Sequence, residues 1–473
     1  MSTSAVILAT LMAYKLALLG VGVWASRRVA TEDDFFLAGK RGLGAWTAGL
    51  SYAASTSSAW VLLGFTGFVF TQGLVGLWLV PGIFGGYALT WLVMGPRLHA
   101  ETRERGHLTV VDFLVADAGP WARRIGLLAA GLILFCFVFY ISSQFQAAGN
   151  ALSEAFALSA TEAVLLGAGV IVLYCLLGGF VAASITDALQ AAVMMAACVI
   201  VPAAAVLAAG GVAPVLATGP GAGATTGAAG VALAGMALGL LGTGLGALGQ
   251  PQLLNRIMAV RSRAERLRGA AITVGWGVVV YSGLTLLALA GRALALDTQG
   301  EALFFAAARD LLPPVVAGIV IAAVLSAVMS TVDSLLLAAA SAVSHDSGLR
   351  WATPARALLM GRVSMVGVAA LAVGLTLFAP KDIFTRVLFS WVALGAAFGP
   401  AILTRCLGWR VRGGAVMLAV AAGFAVAVTA YGLPGTLADV AEKRGSWIMG
   451  LLILFVGRQR LTERSDAALQ PGE

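Results

Sequence analysis

The amino-acid sequence predicts an all-α polytopic membrane protein, and three observations carry that reading. Hydrophobic residues make up 60% of the 473-residue chain and charged residues only 11%. Mean hydropathy is +0.94, whereas a soluble domain of this length needs far more charge to cover its surface. The apolar residues also come in long runs without an amphipathic period. Runs of roughly 20 are what a bilayer core of about 30 Å requires of a helix. A transmembrane barrel needs alternating segments of about 10 residues, and none is seen.

About 13 transmembrane helices are read, at 5–25, 43–72, 76–95, 123–148, 159–179, 185–208, 229–250, 268–291, 314–343, 358–379, 384–407, 413–432 and 446–458. The first does not read as a cleaved signal peptide. No basic n-region precedes it, and no small-residue cleavage site precedes Arg27-Arg28. The last is short enough to cross only in part. Lys and Arg set the orientation. With the N-terminus outside, the loops placed inside hold 23 of the 30 basic residues, the outside loops hold 6, and Lys15 lies in the first span. The topology is then N-terminus out, C-terminus cytoplasmic, with an odd number of spans. The net charge of +8 reads as a topogenic signal at a membrane face, not a nucleic-acid patch.

Cys136, Cys175, Cys198 and Cys406 fall in or at the ends of apolar spans, without zinc or C-x-x-C spacing, and read as small packing residues. His99, His107 and His345 lie in inside loops. The longest polar stretches are the 96–122 loop, read as partly an amphipathic surface helix, and the Gly/Ala/Thr-rich 210–228 loop.

Polar residues at the centre of a membrane helix are expensive and usually functional. The second span runs Ser51-Tyr52-Ala53-Ala54-Ser55-Thr56-Ser57-Ser58. Its hydroxyls either back-bond to the helix or mark a break whose freed carbonyls coordinate Na+ or substrate. The fourth span holds Tyr140, Ser142, Ser143, Gln144 and Gln146. In the sixth, Asp187 is either a first-turn acid favouring the helix dipole or part of an ion site or proton relay. The seventh reads Gly242-Thr243-Gly244-Leu245-Gly246-Ala247-Leu248-Gly249-Gln250-Pro251. Those glycines serve close packing or a hinge, with Pro251 ending the helix. In the ninth, Ser330, Thr331, Asp333 and Ser334 share one helical face. Hard oxygens of this kind suit alkali and alkaline-earth cations rather than zinc or copper.

Taken in order, these motifs resemble the sodium/solute symporter family, and within it the sodium/proline type. The matching stretches are Asp34-Phe35-Phe36-Leu37-Ala38-Gly39-Lys40-Arg41; Leu50 to Gly67; Gly178-Gly179-Phe180 with Thr186-Asp187 and Gln190; Gly249-Gln250-Pro251 with Arg256-Ile257-Met258-Ala259; and Met329 to Leu336. The resemblance implies a leucine-transporter-type 5+5 inverted-repeat core within a single transporter domain, 1–473. Residues 1–42 and 408–473 would be peripheral, 43–208 the first repeat and 229–407 the second. The second and seventh spans would be the paired broken helices.

Carried over residue by residue, the resemblance implies a main Na+ site from the carbonyls of Ala54, Ser57 and Ala327 and the hydroxyls of Ser330 and Thr331. Asp187, with Asp333 and Ser334, matches a further Na+ site of some members, which leaves one- and two-sodium coupling both open. Tyr140 falls where the proline carriers have a tyrosine. Thr56 stands where they have an aspartate, and Thr243 and Ala247 where a tryptophan and a tyrosine are expected. That suggests a roomier, differently polar pocket with Thr56, Ser58, Tyr140, Gln144 and Thr243 as polar contacts. No Arg or Lys is read mid-span near these helices. An anionic substrate group would then lean on bound Na+ and helix N-termini.

The implied function is sodium-coupled secondary active symport of a small solute, a proline-like amino acid or small carboxylate, by alternating access in a bacterial inner membrane. Na+ is the coupling ion; no cofactor and no nucleic-acid partner are expected. A proton-coupled carrier of the same fold, through Asp187 or Asp333, is the rival within transport. A transporter-like solute sensor is disfavoured because only about 15 polar residues follow the last span. An enzyme is disfavoured because no span holds a histidine or a nucleophile–base pair.

Overall fold

A computed structural model describes residues 42–459 apart from 157, 178, 219–236, 299, 349–352 and 380–382, together with scattered positions of the first 41. The stretch Asp34–Arg41 apart from Leu37, most of the 5–25 span, Lys15, Gly178, the start of the 229–250 span and the tail beyond 459 lie outside the described residues.

With no water in the hydrocarbon, every backbone group must bond within its own segment, and apolar runs therefore become helices. The principal ones are α1 (Ala45–Thr56), α2 (Thr66–Gln72), α3 (Leu79–Ala88), α4 (Gly95–Arg105), α5 (Val110–Val115), α6 (Ala122–Ala155), α7 (Ala160–Leu177), α8 (Phe180–Ala208), α9 (Pro251–Met258), α10 (Arg263–Ala293), α11 (Leu303–Leu311), α12 (Pro314–Ser341), α13 (Pro354–Phe378), α14 (Ile383–Cys406), α15 (Gly413–Tyr431) and α16 (Ser446–Val456). Among the described residues there is no strand beyond the isolated bridges Leu43–Val260 and Val411–Arg458. Eight helical stretches among them are long and apolar enough to cross a membrane, and two shorter apolar helices accompany them. One of the eight runs from Trp60 to Arg105. It bends at Gly73, whose φ of 70° only glycine adopts without strain.

The packing inverts the soluble pattern. Leu173, Leu207, Leu371, Leu418 and Val456 are exposed, while Ser51, Ser55, Asp187, Gln190, Arg256 and Asp333 are buried. Helix α1 sits at the centre, packed against α8, α9, α10 and α12. Its start is pinned to the α9–α10 connection. Leu43 N donates to Ala259 O at 2.7 Å, Arg261 N donates to Leu43 O at 3.0 Å, and Ala45 N donates to Glu265 Oε2. Helices α15 and α16 lie outside, against α14 and each other.

The loops counted as inside gather at one end of the bundle. Thr109 bonds Asp346, His345 bonds Asp112, Arg103 bonds Val260 O, and Arg405 pairs with Glu101 and Asp117. At the other end, Glu301 accepts from Phe384 N, and Gly67 lies against Gly300.

Candidate ion and substrate site

The polar run of the second span does break. Helix α1 stops at Thr56, Ser57 caps it at φ −104°, ψ 56°, and helix resumes at Trp60 in a wider π turn. Polar groups take up the interrupted ladder: Ala59 N donates to Gln144 Oε1 at 3.2 Å and Trp60 Nε1 to Thr56 O at 3.0 Å. A helix C-terminus carries partial negative charge on its last carbonyls, so this one favours a cation.

Helix α12 meets that terminus with its hydroxyl face. Ser330 Oγ lies 3.4 Å from Ala54 O and 3.2 Å from Ala327 O. Ser57 Oγ and Thr331 Oγ1 are both buried without a well-formed partner among the described residues. All five residues assigned to the main Na+ site are buried here at the α1–α12 contact. The three carbonyls of Ala54, Ser57 and Ala327 and the two hydroxyls of Ser330 and Thr331 would make a hard-oxygen set of the kind alkali cations take.

The second polar group differs from the expectation in one respect. Asp187, Asp333 and Ser334 do gather, but around a guanidinium. Arg256 Nη2 lies 2.9 Å from Asp187 Oδ2 and 2.5 Å from Ser334 Oγ, and its Nε donates to Ser51 Oγ at 2.9 Å. Ser51 Oγ in turn donates to Asp187 at 2.7 Å. Its Nη1 bonds Gln252 O, and its plane sits 5.4 Å above the Phe180 ring. The expectation that no Arg or Lys lies among these helices is therefore corrected. Its cause was Pro251, read as a helix end. A proline lacks only an N–H that the first turn leaves unbonded anyway. Pro251 accordingly opens α9 after a single extended residue, Gln250 (φ −87°, ψ 107°). The seventh span is broken like the second, and Arg256 rides into the interior on its continuation. Two buried carboxylates face one guanidinium, and Asp187 Oδ1 and Asp333 Oδ2 lack hydrogen-bond partners among the described residues.

Beside the α1 break lies a small closed cavity lined by Thr56, Trp60, Ile83, Tyr87, Thr243, Ala247, Tyr281 and Trp391, among others. Its volume of about 10 Å3 is close to what one water needs. Thr56 and Thr243 line it, and Thr56 Oγ1 lies 3.0 Å from the Tyr87 hydroxyl. Ser58, Tyr140 and Gln144 are buried but do not line it; Gln144 supports the break instead. The roomier pocket expected from Thr243 and Ala247 is not found in this closed form. Four aromatics that those positions do not reveal fill the space. Trp391 of α14 donates its Nε1 to Thr243 O at 2.9 Å and lies over Gly246, where an added Cβ would come within 2.0 Å of its ring. Trp60, Tyr87 and Tyr281 come from three further segments. The only hint in the sequence was that each is a large aromatic within an apolar span.

A match to the sodium:solute symporter family covers residues 35–423. The osmoregulated proline transporter OpuE of Bacillus subtilis (strain 168) is 32% identical, over 84% of this chain and 83% of its own. The sodium/proline symporter of Escherichia coli (strain K12) is 30% identical over 88% and 86%. Among solved structures, a substrate-bound, outward-open Na+-coupled sialic acid symporter aligns with a TM-score of 0.78 at 16% identity, over 96% of this chain and 99% of its own. Mhp1, a nucleobase-cation-symport-1 family transporter, aligns with a TM-score of 0.58 at 12% identity, over 88% and 93%. At those identities the likeness speaks for the fold alone. The match across most of the chain, with relatives at 30% identity or more, means that the protein belongs to the sodium:solute symporter family.

Proposed function

We propose that the protein imports proline or a closely similar small amino acid together with Na+. The observation that carries this is the α1–α12 contact. A broken helix end and a hydroxyl face meet there, and Thr331 Oγ1 is buried with no hydrogen-bond partner among the described residues. Na+ held by the Ala54, Ser57 and Ala327 carbonyls and the Ser330 and Thr331 hydroxyls would tie α1 to α12. That linkage favours the state in which the adjoining pocket is complete, so ion and solute each raise the affinity for the other. The apolar walls of Trp60, Ile83, Tyr87 and Trp391 suit a small apolar side chain or ring. Thr56 and Thr243 supply hydroxyls to its polar end, and bound Na+ balances its carboxylate.

The architecture we infer has thirteen spans, N-terminus outside, C-terminus cytoplasmic, in a bacterial inner membrane. Its two inverted repeats of five helices would centre on the breaks at Ser57 and Gln250. The gathering of the arginine-rich loops at one end supports that orientation. The second cluster bears on stoichiometry. With Arg256 present, Asp187 and Asp333 retain one negative charge in excess, which a second Na+ at Asp187, Asp333 and Ser334 or a proton would neutralise.

Uptake of labelled proline into proteoliposomes tests the assignment. An inward Na+ gradient should drive accumulation, and a pH gradient without sodium should not. Accumulation on a pH gradient alone would overturn the sodium reading. Sodium-driven uptake of a competitor with no effect of excess proline would overturn the substrate.

A further inference from the structure

A second cavity lies away from the ion and substrate site, at the end where the arginine-rich loops gather. Its volume is about 320 Å3, and Arg97, Arg105, Asp117, Arg405, Trp409 and Arg410 are among the residues lining it. Helices α4 and α5, the end of α14, the α14–α15 connection and the end of α16 form its walls.

The charges around it do not balance. Asp117 takes Arg105 Nη1 at 3.0 Å and Arg405 Nη1 at 2.6 Å. Buried Glu101 takes Arg405 Nη2, and lies 3.7 Å from Arg105 and 3.6 Å from Arg97. Arg410 has no carboxylate within ion-pair distance among the described residues. With Arg458 4.8 Å over the Trp409 ring and Glu104 beside Arg105, five guanidiniums thus stand against three carboxylates around this concave polar space. The Arg405 side chain is only 11% exposed, and it lies 4.8 Å over the Phe113 ring. Its Nε is buried with no hydrogen-bond partner among the described residues. Arg405 is therefore a fixed floor, while Arg97 and Arg410 at the rim make no side-chain hydrogen bond among the described residues.

We propose that the cavity binds a phosphate-bearing anion. Guanidinium forks match phosphate oxygens two at a time, and a fork already ordered loses little entropy on binding. Two excess positive charges suit a phosphomonoester or a phosphodiester. The cavity opens among the ends of apolar helices beside Trp409, a position where anionic lipid head groups meet basic pockets. A lipid head group and free phosphate bring the same chemistry, and the test distinguishes them.

Purified full-length protein in maltoside detergent is melted at constant ionic strength with increasing inorganic phosphate. In a second arm it is melted with a short-chain phosphatidylglycerol, against a diacylglycerol of the same chains. At least one phosphate-bearing probe should raise the melting temperature. In Arg97→Gln/Arg410→Gln, the same rise should need about tenfold more probe, a loss of about 1.4 kcal/mol. A response to inorganic phosphate assigns a soluble ligand; a response to phosphatidylglycerol alone assigns a lipid. If neither probe acts, or diacylglycerol acts as well as phosphatidylglycerol, or the double variant responds as wild type does, the proposal fails. Should the double variant not fold, Arg410→Gln alone decides. That residue makes no ion pair among the described residues, so its loss can weaken the response only through the cavity.

Discussion

Arg256 Nη2 lies 2.9 Å from Asp187 Oδ2, with both side chains shut away from solvent. A buried ion pair gains little over a well-packed apolar pair, but removing one partner leaves an uncompensated charge, at a cost of about 3–5 kcal/mol. Arg256→Gln should therefore lower thermal stability sharply, because Asp187 and Asp333 would then face each other unneutralised. Asp187→Asn in the same chain should restore much of the loss. A thermal double-mutant cycle in detergent measures this. Additive effects would mean that the two groups do not depend on each other.

Ser330→Ala and Thr331→Ala each remove one oxygen from the α1–α12 contact. A hydrogen bond or ligand contact to a charged group is worth about 1.5–3 kcal/mol, or roughly 10–100-fold in affinity. Each variant should raise the Na+ concentration for half-maximal uptake by about that factor. Thr331→Ser, which keeps the hydroxyl, should stay close to wild type. Uptake measured against sodium concentration in proteoliposomes decides it. An unchanged sodium dependence in both alanine variants would mean the ion binds elsewhere.

Gly246 lies under Trp391, and an added Cβ there would come within 2.0 Å of the indole. Overpacking of this kind typically costs about 1–3 kcal/mol. Gly246→Ala should lower the melting temperature and depress uptake, and Trp391→Phe in the same chain should recover part of both. If Gly246→Ala transports like wild type, the closed packing of the seventh span against α14 is not part of the working cycle.

At the arginine-rich end, Asp112 caps α5 through the Thr109 N–H and meets His345 Nε2 at 2.9 Å. Burial pushes its carboxyl up, but the His345 contact and the Leu108 and Thr109 amides outweigh that and hold it below the ordinary carboxylate range. A carboxyl depressed in the folded state stabilises it above the unfolded pKa. That contribution disappears as pH falls through the folded value. Wild type should therefore lose stability on acidification below about pH 4, where free Asp titrates. Asp112→Asn should start about 1 kcal/mol less stable from the weakened cap and show a shallower acid limb. Parallel acid limbs would mean that Asp112 titrates alike folded and unfolded.

How much of this could be read along the chain follows from the range of the forces involved. Apolar runs and the excess of arginine in alternate loops are local properties, so a membrane fold was legible without coordinates. The hydroxyls of α12 and the Ser/Thr run of the second span were legible too, because such groups have no local reason to lie mid-helix. Arg256 was misplaced, because a proline after a glycine-rich run looks the same whether it ends one helix or begins the next.

Local patterning along the chain is enough to make it a bundle of membrane helices with hard oxygens at two interior places. Only helix packing places a guanidinium between Asp187 and Ser334. It also makes Trp60, Tyr87, Tyr281 and Trp391 close the pocket beside Thr56. Those partners are far apart in the chain and come together only when helices pack. A residue's own spacing can show that it is out of place in lipid, but not which distant side chain will face it.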